Sequence, residues 1–276
     1  MIPEEAEAIL RATGAAADEA IDVARAALAF AVLDRPEAGA DRYDEHLRAL
    51  GEEVAAGAGS SASDVAQRAA ALRTVLVEAH GYHGDRETYD DLRNADLSQV
   101  IDRRRGLPVA LAILWLHAGR TQGWTMAGLN FPGHFLIRLD WAGESLVLDP
   151  FNDGRALGPA ELRTLLRSFA GERAELASEH YAALSNRATL LRLQNNIKIR
   201  LLNAEEPAKA LPVIERMLLI APADAALWRE AGLVHRRLEN LRSAIRCLET
   251  AHGLAEVPAA RHRIAAEIAA LRGTLN

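Results

Sequence analysis

The sequence predicts an α+β protein, predominantly helical, with a small antiparallel sheet near its middle and a series of paired helices at its C-terminal end. Three observations carry this reading. Apolar residues recur at helical spacing through residues 1–80. Between Tyr82 and Phe151 lie eight of the chain's thirteen aromatic residues, together with two stretches whose apolar residues alternate at the period of a strand. Beyond residue 187, residues of like character recur 36 positions apart, as in Leu202 and Leu238, Ala208 and Ala244, Leu211 and Cys247, and Pro222 and Pro258. That spacing is close to the period of stacked helix pairs.

Composition narrows the possible functions. With 276 residues and 50% hydrophobic content, the chain has room for two domains or for one core with helical extensions. It carries 32 basic and 38 acidic residues, a net charge of -6, which argues against a general nucleic-acid binder. A single cysteine, Cys247, excludes an internal disulfide framework and any cysteine-based zinc site. The opening residues MIPEEAEAIL are acidic, and the longest early apolar run, Ala26 to Leu33, is too short to cross a bilayer. The expectation is a cytoplasmic protein with no membrane or nucleic-acid partner and no cofactor.

In residues 1–80, rich in Ala, Glu, Asp and Arg, three or four helices are expected, broken near Ala12-Thr13-Gly14, Asp34-Arg35-Pro36 and Gly57-Ala58-Gly59-Ser60-Ser61. A short helix from Leu97 to Arg105 precedes the stretch that organises the chain, Arg105 to Gly154. Nearly every position from Leu107 to Leu116 is apolar, and Pro108 suits a first helical turn, where its missing N–H costs nothing and its φ is already set. This buried helix should end near Gly119 or Gly123, with a strand following over Trp124 to Asn130.

Two further strands form a hairpin around Trp141-Ala142-Gly143. A register in which partners sum to 283 sets His134 opposite Asp149, Leu136 opposite Val147 and Arg138 opposite Ser145. It gathers Phe135, Ile137, Leu139, Leu146 and Leu148 on the other face, whereas a one-residue slip would mix the two faces. Directly opposed side chains lie close enough for a carboxylate to accept a bond from an imidazole, so a His134–Asp149 pair is expected. After the hairpin, Asn152-Asp153-Gly154 reads as a turn and Gly158-Pro159 as the opening of a helix to about Phe169. Residues 173–186 read as a helical connection. Two helix pairs and a last helix, Ala259 to Arg272, complete the chain.

The order of a helix start, a strand histidine and an Asp followed by Pro resembles the transglutaminase-like, papain-related fold. The stretches DLSQVIDRRRGLPVALAILWL, NFPGHFLIRLD and LDPFNDG resemble more specifically the SirB family of bacterial transglutaminase-like proteins, whose members commonly carry a tetratricopeptide-like tail. The resemblance implies three regions: N-terminal helices over 1–80, a transglutaminase-like core over 81–172 and a tetratricopeptide-like tail over 187–276. It also implies a nucleophilic cysteine at the start of the buried helix, in a Gly-x-Cys sequence. Here Gly106-Leu107-Pro108 places proline there, and Ala110 stands where many SirB-like sequences carry serine. A cysteine at that point would have its thiol pKa lowered by the helix, and its backbone N–H would be available to an oxyanion; proline supplies neither group.

His134 and Asp149 therefore read as a vestigial catalytic pair, with Asn130, Gly133, Asn152 and Asp153 as further pocket residues. A base without a nucleophile does not perform acyl transfer. The leading expectation is a transglutaminase-like pseudoenzyme that binds proteins or peptides. The alternative is a hydrolase or transferase in which His134, oriented by Asp149, acts as general base on water or on a nucleophile carried by the substrate. A third reading is an adaptor working through the tail alone. Arg103, Arg104 and Arg105 before a helix start read either as an anion site or as a solvated basic face. A metal site from His134, Asp149, Asp153 and His80 or His83 lacks tight ligand spacing, and no metal is expected.

Overall fold

A computed structural model describes residues 1–58 and 63–275. Residues Gly59 to Ser61 of the expected third break lie outside the described residues. The chain divides into two compact units, Met1–Ala6 with Ala17–Leu193 and Glu7–Ala16 with Gln194–Asn276.

The larger unit is built around a helix whose first nine residues are all buried. Leu107, in extended conformation, caps α6 (Pro108–Arg120), and Pro108 occupies its first turn. Every residue from Pro108 to Leu116 is buried. Around it pack α2 (Val23–Asp34), α3 (Asp41–Ala58), α4 (Val65–Arg73) and α5 (Leu97–Arg103). The helix α4 continues into a π-helical turn at Thr74–Ala79. Two short strands, β1 (His83–Gly84) and β2 (Arg105–Gly106), run parallel and tie the entry of α6 to the segment after α4.

Against α4 and α6 lies an antiparallel sheet of β3 (Thr125–Leu129), β4 (Ile137–Trp141), β5 (Glu144–Asp149), β6 (Arg155–Leu157) and β7 (Ala183–Leu184), in the order β6-β5-β4-β3-β7. The helix α7 (Pro159–Ala170) joins its buried Leu162 and Leu166 to Leu129, Leu136 and Val147 in one apolar cluster.

The hairpin register departs from expectation. Trp141 pairs with Glu144, Leu139 with Leu146 and Ile137 with Leu148, so partners sum to 285 rather than 283. Arg138 faces Val147, and Ser145 faces Asp140. The cause is a tight two-residue turn: Ala142 (φ 51°) and Gly143 (φ 86°) are both left-handed, as the twist-matched hairpin turn requires. A slip of two residues preserves the faces, so Ile137, Leu139, Leu146 and Leu148 still share one side. It also leaves His134 outside the ladder, in the bend before β4.

Residues 173–186 form no continuous helix. They hold a 3-10 turn at Ser178–Tyr181 and then β7, which extends the sheet by pairing with β3. The start of α8 (Asn186–Asn203) is capped from far away in sequence, because the Asp18 carboxylate accepts from the backbone N–H groups of Asn186 (2.8 Å) and Arg187 (2.9 Å).

The smaller unit contains α9 (Pro207–Ile220), α10 (Ala225–Arg237), α11 (Leu241–Leu254) and α12 (Pro258–Leu275), together with most of α1 (Pro3–Ala15). Its burial pattern repeats every 34 residues rather than 36: Ala210, Ile214, Met217 and Ala221 are buried, and so are Ala244, Leu248, Ala251 and Ala255. The connections repeat in the same phase. Glu205 and Glu239 are both left-handed (φ 57° and 59°), and Glu206 N–H donates to the Leu201 carbonyl as Asn240 N–H donates to that of His235, each at 2.9 Å. Pro222 and Pro258 fall out of phase because Pro222 lies before α10 in the connection, whereas Pro258 is already the first residue of α12. Among the described residues, no helix is long and apolar enough to cross a membrane.

Candidate functional site

The centre of the site is made by the end of β5. Asp149 is its last residue and also the cap of a 3-10 turn, Pro150–Asn152, whose proline fixes the first φ. One carboxylate oxygen accepts from the N–H groups of Phe151 (3.1 Å) and Asn152 (3.2 Å), and the other from Asn152 Nδ2 (2.6 Å). The first oxygen also lies 2.9 Å from His134 Nε2. Burial pushes the Asp149 carboxyl up, but the hydrogen bond from His134, its charge and the donors of Asn152 outweigh burial and hold the group below the usual carboxylate range. An ionised carboxylate only accepts, so Nε2 is the protonated nitrogen. No hydrogen-bond partner for Nδ1 is present among the described residues.

The expected pair is thus present although the expected ladder is not. His134 reaches Asp149 from the bend that Gly133 makes possible: Gly133 is left-handed (φ 72°), and a Cβ there would lie 2.3 Å from the ring of Phe169. The imidazole is held between two aromatic rings, edge-on to Phe151 with centroids 6.0 Å apart and stacked on Phe169 at 6.2 Å. Only 8% of His134 and 2% of Asp149 reach the surface, whereas Phe169, near the end of α7, is half exposed.

The other expected residues divide. Asn152 belongs to the pair's hydrogen-bond network and also accepts from Arg86. Asp153, left-handed at φ 57°, takes a bond from His83 Nδ1 at 2.8 Å. Asn130 is exposed, and its backbone N–H donates to the Ala182 carbonyl beside β7. Pro108 is buried in the first turn of α6, and α6 packs against the Pro150–Asn152 turn. The turn is kept close by Gly154, whose missing Cβ would lie 2.0 Å from Trp115.

Asp149, Asn152 and Asp153 border a cleft of about 680 Å³ whose far wall is α7, with Arg86 and Arg155 at its sides. Sequence reasoning missed Arg86, Phe169 and the role of α7 as a wall. The signal for α7 was available in the spacing of Leu162, Leu165, Leu166 and Phe169, one helical face ending in an aromatic residue.

The three consecutive arginines are each engaged within the fold. Arg103 donates to Asn94 and Asp85, both at 2.9 Å. Arg104 donates to His46 and Tyr82, and Arg105 to Glu87. No group of three or more potential metal ligands occurs among the described residues.

Comparison with known proteins places these features. A family model described as the transglutaminase-like superfamily matches residues 41–195, and a tetratricopeptide repeat model matches residues 197–269. A UPF0162 protein of Xylella fastidiosa is 31% identical over 242 residues, covering 84% of this chain and 83% of that protein. One from Vibrio cholerae is 31% identical over 228 residues, covering 82% and 84%. F-box only protein 21 of Mus musculus is 34% identical over 82 residues, or 30% of this chain and 13% of that protein. No solved structure matches the chain.

Proposed function

Given that the chain belongs to the transglutaminase-like superfamily, we propose that it is a pseudoenzyme of that superfamily, of the SirB type, acting as a protein- or peptide-binding module in the cytoplasm. The observation that carries this reading is Pro108. At the helix start where the resemblance calls for a nucleophilic thiol, the chain has an imino acid with neither a reactive side-chain atom nor a backbone N–H. Ala110, two positions on, supplies no hydroxyl, and the single thiol, Cys247, is buried in α11. On this reading, residues 81–172 keep the proton-handling half of an acyl-transfer site as the frame of a cleft. Helices α2, α3 and α4 brace it, and residues 187–276 engage a protein through tetratricopeptide repeats.

A second reading treats the pair as a working general base for water or for a substrate-borne nucleophile. The Nδ1 of His134, which lacks a partner among the described residues, favours it. Amide hydrolysis and acyl transfer from a glutaminyl peptide, measured side by side for the wild type and His134→Ala, separate the two. The pseudoenzyme reading predicts no turnover above buffer in either protein. Turnover that disappears with His134 overturns it.

A further inference from the structure

The acidic residues of the cleft each face a protein donor, while its arginines keep most of their donors unused. Asp149 takes four internal hydrogen bonds. Asp153 is bonded to His83 at 2.8 Å, and Glu161 accepts from the Gly158 N–H at 3.1 Å, closing the first turn of α7. Formal charge alone would read this wall as acidic. Hydrogen-bonding capacity qualifies that reading: Asp149 is filled by protein donors, and Asp153 and Glu161 each already face one, while the two guanidinium groups keep most of their donors.

A guanidinium has five N–H donors in a fixed fork. Arg86 gives one of its own to Asn152 Oδ1, and its cationic carbon lies 5.8 Å from the centroid of Phe151. The Arg155 guanidinium makes no hydrogen bond among the described residues and forms an ion pair with Glu161 at 3.7 Å. Both are exposed and line the same cleft, one from the loop after β1 and the other from β6. Between them the cleft offers the half-buried Leu157 and Leu165, and at about 680 Å³ it falls within the range of sites that enclose small ligands or a few residues of peptide.

We propose that this cleft binds an acidic peptide segment, with glutamate or aspartate side chains received by the free donors of Arg86 and Arg155 and an apolar neighbour resting on Leu157 and Leu165. Two forks on separate segments suit a tract with more than one carboxylate better than a single chain terminus. The proposal deepens the peptide-binding reading and rests on it, but not on the absence of turnover.

The test uses the full-length chain and a fluorescent peptide in which glutamates alternate with leucines, acetylated and amidated at its ends. Fluorescence anisotropy should show saturable binding that weakens with salt and is lost when the glutamates are replaced by glutamines. Arg86→Gln and Arg155→Gln should each raise Kd about tenfold, the loss of one charge-assisted contact at an exposed site. Arg73→Gln, which removes the same charge from the exposed face of α4, should leave Kd unchanged. Circular dichroism checks that all three variants are folded, and Arg→Lys at either cleft position should recover only part of the affinity. Equal binding of the glutamine peptide, or equal losses in all three glutamine variants, overturns the proposal. Failure here with no turnover leaves a binding module of different specificity; binding here with His134-dependent turnover leaves the cleft and removes the pseudoenzyme.

Discussion

In the unit that holds the sheet, the largest fully buried side chains include Trp115, Tyr43, Tyr82 and Phe30, and buried polar residues such as Asp85, Asn94, His134 and Asp149 are linked through hydrogen bonds. In the repeat unit, the core around α11 and α12 is made of Ala244, Leu248, Ala251, Ile264, Ile268 and Leu271, on helices close in sequence. The first arrangement depends on pairings between distant segments, such as β3 with β7 or Asp18 with the start of α8. The second is assembled from neighbours and shows its plan twice, 34 residues apart. Connected polar networks specify one geometry at a high cost when broken, whereas small-residue helix stacking spreads stability over interchangeable contacts.

The largest test of this contrast is Asp149→Ala. It leaves His134 buried without its partner and removes the cap of the Pro150–Asn152 turn, so it should cost roughly 3–5 kcal/mol in denaturant unfolding. Hydrogen exchange should accelerate in the sheet and at residues 150–154 rather than in α10–α12. Leu248→Ala, at a fully buried position of α11, should cost about 2–5 kcal/mol by creating a cavity. Its faster exchange should be confined to α10–α12. If either variant accelerates exchange equally in both regions, the contrast is wrong.

A smaller effect should be visible in pH. Burial, then the charges of Arg104 and His80, push His46 down from 6.5 to about 4. Its Nε2 faces Arg104 Nη1 and Tyr82 Oη, each at 2.7 Å. Between those pH values the unfolded chain binds the proton and the folded chain does not, so stability should fall as pH drops from 6.5 to about 4 and be indifferent to His46 above that window. His46→Gln should flatten that part of the profile. Smaller still in stability is Phe169→Ala, which removes a half-exposed ring stacked on His134 and should cost on the order of 1 kcal/mol. Its clearer signature is faster modification of His134 by diethyl pyrocarbonate; an unchanged rate would mean that Phe169 does not shield the imidazole.

How much of this was legible in the sequence depends on the range of the determinants. The start of α6 was readable because Pro108 and an unbroken apolar run act locally. The faces of the hairpin were readable because their alternation survives a slip of two, but the register was not, since it is set by the left-handed pair Ala142 and Gly143. His134 nevertheless meets Asp149, through a bend at Gly133 rather than by facing it across the ladder. The two-residue strand Ala183–Leu184 is too short to show a period, and the bond from Arg86 to Asn152 joins segments 66 residues apart. The repeat was visible, but residues of like type, the prolines among them, match two positions out of the 34-residue phase that burial and the connections keep.

The proposed function turns on whether the oriented imidazole has a nucleophile on the chain to activate. Intact-protein mass spectrometry of the wild-type chain, quenched during incubation with a glutaminyl peptide, tests it most directly. An unshifted mass is expected at every time point. A mass increase equal to the acyl group, lost in His134→Ala, would reveal a nucleophile on the chain and contradict the account.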